Sequence, residues 1–164
     1  MRPGYFGAYL ARKVDHFMPP TSPVPFGPID NPESWQQIHE FIDEFPDDAY
    51  WSKWKFMVRE VVSSLEALGL AKHFRIGQSM HDIMISTADY HGLSANEPRV
   101  ILVFQPREDL VRIAYSDANL IFKEPLTDEH VAITVATDRT LEYLRRLWNE
   151  TKSSARMPNG LSHP

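Results

Sequence analysis

With 164 residues, 43% of them hydrophobic and 24% charged, the chain has the composition of one ordinary globular domain, long enough to bury a core without covalent staples. It contains no cysteine, which excludes disulfides, thiolate nucleophiles and cysteine-ligated zinc or iron–sulfur sites. Its formal charge of -5, from 22 acidic against 17 basic residues, argues against nucleic-acid binding, which calls for a basic surface.

Residues 1–30 stand apart from the rest. Prolines at positions 3, 19, 20, 23, 25 and 28 lock φ and remove backbone donors, so the segment reads as an irregular or polyproline-like arm. It nevertheless carries Tyr5, Phe6, Tyr9, Leu10, Phe17, Met18 and Phe26, more large apolar surface than a solvated linker needs. Such an arm either packs on its own domain or lies across a partner, and Tyr5, Phe6, Tyr9, Leu10, Phe17 and Phe26 are its candidate partner-binding residues. The apolar string from Tyr5 to Leu10 is shorter than the core of a secretion signal and runs into Arg12, Lys13 and Asp15. No run approaches the ~18 apolar residues of a membrane helix. A cytoplasmic protein without membrane association is expected.

Asn31-Pro32 provides a cap-like residue followed by a proline, and Trp35, Ile38, Phe41, Ile42 and Phe45 then recur at helical spacing. This predicts helix A over 33–45, ended by Pro46. Asp47-Asp48 stands ready to cap helix B, 48–68, whose apolar stripe is Trp51, Trp54, Val58, Val61, Val62, Leu65 and Leu68. Gly69 falls where a left-handed C-cap belongs. Two helices joined by so short a turn form an αα-hairpin.

The period then changes. Ile83 to Thr87 reads as a strand. Val100 to Phe104 is apolar on both faces, as in a central strand, and Val111 to Ser116 alternates as a half-exposed one. A further strand is expected from Leu120 to Glu124, and Val131 to Val135 reads as a fifth strand or an extended lead-in. Helix C follows over 138–150, capped by Thr137 or Asp138, with Leu141, Leu144, Leu147 and Trp148 buried. The polar, turn-rich residues 153–164 read as a flexible tail. Consecutive strands with short connections pair antiparallel, and helices gathered at both ends cover the sheet. Residues 31–152 are therefore expected to form a single α+β domain, an antiparallel β-meander of four to five strands packed against an N-terminal αα-hairpin and a C-terminal helix.

Residues 77–92 hold the densest set of reactive side chains, including Ser79, His81, Asp82, Asp89 and His91. A strand starting near Ser79 places Ser79, His81, Ile83 and Ile85 on one face, where serine and histidine can act as nucleophile and base. The segment lacks the Gly-x-Ser-x-Gly elbow that strains a serine toward attack, and a histidine ending a buried strand ordinarily bonds a carbonyl or hydroxyl. A zinc or iron site would draw on His81, Asp82, Asp89 and His91, with His73 in support, but the ten-residue gap from His81 to His91 is looser than regular metal motifs. Asp47-Asp48 and Glu108-Asp109 lie in turns, where carboxylates cap helices and end strands. The four tryptophans fall on helix stripes and read as core.

The functional expectation is a small intracellular protein-binding module without catalytic activity or cofactor, antitoxin-, immunity- or assembly-factor-like by analogy. It would act on a protein partner or on itself as a homodimer. The alternative is a hydrolase centred on His81 with Ser79, or on a His/Asp metal site.

Overall fold

Helix α1, Asn31–Asp43, carries Pro32 in its first turn and buries Trp35, Ile38 and Ile42 on one side. The computed structural model to which it belongs describes residues 31–88, 97–117, 124–152 and 156–161. Helix α2, Ala49–Ala67, begins where Asp48 accepts a hydrogen bond from the Trp51 amide at 2.9 Å. It is followed by Gly69 at φ 76, the left-handed conformation that glycine adopts without a Cβ clash. Predicted helix B thus matches α2, except that Leu68 lies beyond the helix and exposed.

Five strands follow: β1 Arg75–Ser79, β2 Asp82–Ser86, β3 Arg99–Gln105, β4 Leu110–Ser116 and β5 Thr127–Ala132. They lie in sheet order β1-β2-β3-β4-β5, each antiparallel to its neighbour. Helix α3, Ile133–Thr151, closes the domain. The α+β class, the meander and the placing of helices at the two ends agree with the expectation from the sequence.

The period-two alternation of strands divides the sheet into two faces. Ile76, Ile83, Ile85, Val100, Leu102, Phe104, Val111, Ile113 and Tyr115 point inward and merge with Trp35, Trp54, Val58, Leu65, Leu144 and Leu147 into one apolar core. Helix α1 also seals the margin of β1. The Trp35 indole donates to the Phe74 carbonyl at 2.8 Å, and the Ser34 hydroxyl accepts from the Ile76 amide at 3.1 Å.

Three expectations change, and a fourth lies largely outside the described residues. The chain holds a strand, β1, that its mixed composition concealed. The expected strand from Leu120 to Glu124 falls on residues of which only Glu124 is described, and among the described residues the strand after β4 is Thr127–Ala132. Helix α3 starts at Ile133, not 138, so Thr137 and Asp138 sit inside it and Ala132 occupies the cap position without a side-chain bond. Of the expected tail, residues 156–161 are described: Leu161 belongs to the core and its carbonyl accepts from Arg145 Nε at 2.7 Å. No helix among the described residues is long and apolar enough to cross a membrane.

Candidate functional site

Strands β1 and β2 are joined by a two-residue turn, Met80-His81, with Ser79 paired to Asp82. This corrects the shared face expected for Ser79 and His81: strand alternation stops at Ser79, and His81 belongs to the turn. His81 is half-buried against the Trp51 ring, 6.3 Å between centroids in an edge-on pose, with Nε2 3.8 Å from Asp82 Oδ1. Met80 adopts φ 58, a conformation unfavourable to a side chain with a Cβ, and stands 70% exposed at the tip.

Asp82 points to the outer face, away from the helices. Burial pushes its carboxyl above the ordinary range, against the opposing pull of His81 and Arg112. Arg112 on β4 forks onto Asp128 of β5, its Nε 2.9 Å from both carboxylate oxygens and its Nη2 2.6 Å from Oδ2. That bidentate bond holds the Asp128 carboxyl low and the Arg112 guanidinium high. His130 pairs with Arg112 across the strands. One end of the outer face therefore gathers Ser79, Asp82, Arg112, Asp128 and His130. Alternation in the sequence marks Arg112 as outward, but its partner depends on the β4–β5 register, which no local pattern encodes.

The opposite end of the same face holds a second polar group that sequence reading missed. Arg75 pairs with Ser86 and Arg99 with Ser116, and both arginines are only 3% exposed. Arg99 Nε donates to the Glu97 carbonyl at 3.0 Å, while burial pushes the Glu97 carboxyl up against the Ser86 hydroxyl and the two arginines. Between the two ends lie Met84, Ile101, Val103 and Ala114. A buried arginine pair in strands leaves no periodic signature, because Arg75 and Arg99 read as strand-terminal surface residues.

Two further groups lie on the helix side. The Tyr115 hydroxyl donates to Glu150, and Arg146 stacks over the Tyr115 ring at 4.2 Å. Burial, and then the Glu150 carboxylate, push that phenol well above its ordinary value. The cluster fastens α3 to β4. An open groove of about 590 Å³ runs along the outer side of α2 past Ser52, Phe56, Arg59, Glu60 and Ser63, beside a Lys55–Asp47 ion pair at 2.6 Å.

Among the described residues no three His, Asp or Glu side chains come together as a metal set. His73 packs on Trp148, 5.7 Å between rings. Asp89 and His91, and the arm residues Tyr5, Phe6, Tyr9, Leu10, Phe17 and Phe26, lie outside the described residues. Of the predicted candidates, the structure brings Ser79, His81 and Asp82 to one hairpin end, with the Asp82 carboxylate 3.8 Å from the His81 ring. Compared with known proteins, the chain matches no family model, no curated protein and no solved structure.

Proposed function

We propose that the chain is a protein-binding module without catalytic activity or cofactor, docking through the β1–β2 tip and its N-terminal arm. Its partner is a protein, a second copy in a homodimer included, in the cytoplasm, with nucleic acid and membrane excluded as targets. The observation that carries this reading is Met80. A left-handed backbone costs a residue with a Cβ about 1–2 kcal/mol, and an exposed thioether forgoes burial as well. Methionine is flexible and polarizable, the properties of an adaptable interface anchor. Asp82 and the Arg112–Asp128 pair supply a polar rim behind it, and the arm's Tyr5, Phe6, Tyr9, Leu10, Phe17 and Phe26 supply apolar contacts. Antitoxin-, immunity- and assembly-factor-like roles suit such a surface.

The test places a photo-crosslinking side chain at position 80 of the full chain and compares wild type with Met80→Gly by sedimentation velocity. Glycine relieves the backbone strain while deleting the anchor, so lost association cannot be ascribed to unfolding. A discrete adduct, to a second copy or to one other protein, and weaker association of Met80→Gly are expected. No adduct, with unchanged sedimentation, ends the reading.

A second reading is favoured by one observation, the raised carboxyl of Asp82 beside His81. It makes the chain a hydrolase centred on His81 with Ser79, or on a His/Asp metal site that draws on His81 and Asp82. Stoichiometric zinc, iron or manganese in the purified protein, lost in His81→Ala, would put this reading first.

A further inference from the structure

Strand β5 is the last of the sheet, and among the described residues it pairs only with β4. The Ile133 amide donates to the Asp109 carbonyl at 3.1 Å, in register with the β4–β5 pairs. Bonded residues alternate along an antiparallel ladder, so Thr127, Glu129 and Val131 turn their backbone groups to β4, while Asp128, His130 and Ala132 turn theirs away from it. These last three residues are exposed. Sheet margins are ordinarily protected by proline, by a bulge, or by charge that repels an arriving strand. Strand β5 has no proline and keeps one register along its length. Its two carboxylates are neutralised within the molecule: Arg112 forks onto Asp128, and Arg139 of α3 reaches Glu129 with Nε at 3.1 Å and Nη2 at 2.8 Å. Apolar side chains bracket the strand, since Leu126 just before it and Val135 in the first turn of α3 are each 45% exposed.

We infer that two copies of the chain pair β5 to β5, antiparallel about a two-fold axis through His130, and join their sheets into one. A second copy fits as the occupant because the strand is complementary to itself. The free-facing groups of Asp128, His130 and Ala132 on one copy meet the same set on the other, as a two-fold contact requires. Centring on His130 sets Asp128 against Ala132 and Glu129 against Val131. The neighbouring register, centred on Glu129, would oppose two carboxylates directly and is disfavoured. In the chosen register each His130 lies diagonal to the other copy's Asp128, an imidazole donor beside a carboxylate. Leu126 of each copy comes to the end of β5 where the other's Val135 stands. The pairing does not rest on the proposed docking role, because β5 and the Met80 tip belong to opposite margins of the sheet.

Sedimentation velocity on the full chain, from ~1 to ~100 µM, reads the association. Wild type should show a monomer–dimer equilibrium. His130→Pro should raise its dissociation constant at least roughly tenfold: the proline removes a donor that faces away from β4, so the β4–β5 ladder keeps its bonds. Leu126→Lys, at an exposed position, gives the same reading should His130→Pro fail to fold. The absence of cysteine adds a test of register. Hydrogen-bonded partners across antiparallel strands stand about 5.5 Å apart at Cα, within disulfide reach. On air oxidation, full-length His130→Cys should give a symmetrical disulfide-linked dimer, and Ser63→Cys on the exposed side of α2 should not. A wild type that stays monomeric at ~100 µM overturns the inference. So does a dimer that survives His130→Pro and leaves His130→Cys unlinked, which assigns association to another surface. Met80→Gly should leave the β5 dimer intact. Association lost in Met80→Gly but kept in His130→Pro would support the docking tip and overturn β5 pairing.

Discussion

At the level of single residues, Asp82 offers the clearest titration test. Its folded-state carboxyl is raised, chiefly by burial, above an unfolded value of about 3.9. Above the folded-state value the carboxylate is ionised, and its lost hydration costs stability. As pH falls the folded protein takes up the proton first, and the cost fades until both states are protonated. Asp82→Asn should therefore be more stable than wild type at pH 7, by no more than about 0.5 kcal/mol because the side chain is partly solvated, and indistinguishable near pH 3. Urea midpoints at the two pH values check this, and a destabilised variant at pH 7 would reverse the sign. Residue types alone picked out Ser79, His81 and Asp82, which do gather at one hairpin end. They did not expose Arg112–Asp128 or the Arg75, Arg99 and Glu97 group. Those associations come from pairing strands distant in the chain, and polar residues in strands look alike whether their partner is water or another side chain.

Helices and strands were legible where one period ran undisturbed. The stripe from Trp51 to Leu65 and the apolar run from Val100 to Phe104 each show a single spacing, and each became the element expected. Strand β1 reads Arg-Ile-Gly-Gln-Ser and offers one large apolar residue, Ile76, so no alternation announces it. The β-branched Ile133, Thr134 and Val135 look like strand but form the first turn of α3, tied down where the Ile133 amide donates to the Asp109 carbonyl at 3.1 Å. Tertiary contact outweighs local preference there. The α1–β1 seam supplies a test at this level. Ser34→Ala removes the acceptor of the buried Ile76 amide, which no longer has water to turn to. A loss of about 1–3 kcal/mol is expected, read as a lower urea midpoint at unchanged slope. An unaltered midpoint would show that the amide finds another partner.

Across the whole molecule, the order of elements dictated the architecture, because consecutive strands with short connections leave few alternatives to a meander. The C-terminal residues were harder to place. Met157 and Leu161 are sparse apolar residues in a polar stretch, and their burial depends on a seat formed by Leu68, Leu70 and α3. Gly160 is the close approach in that seat: a Cβ there would lie 2.3 Å from the Leu68 carbonyl oxygen, a backbone atom that cannot swing aside. Gly160→Ala should cost about 1–3 kcal/mol and lower the thermal midpoint, whereas an unchanged melt would mean that the segment contributes nothing to stability. The sheet as a whole has two unlike margins. On one, Ser34 and Trp35 occupy the outward hydrogen-bonding groups of Phe74 and Ile76; on the other, β5 pairs only with β4 among the described residues and carries Asp128, Glu129 and His130. Backbone-to-backbone growth from copy to copy would need two receptive margins on every molecule. With two of its groups already occupied, the β1 margin is the less receptive of the two, and an added strand would meet β5 first.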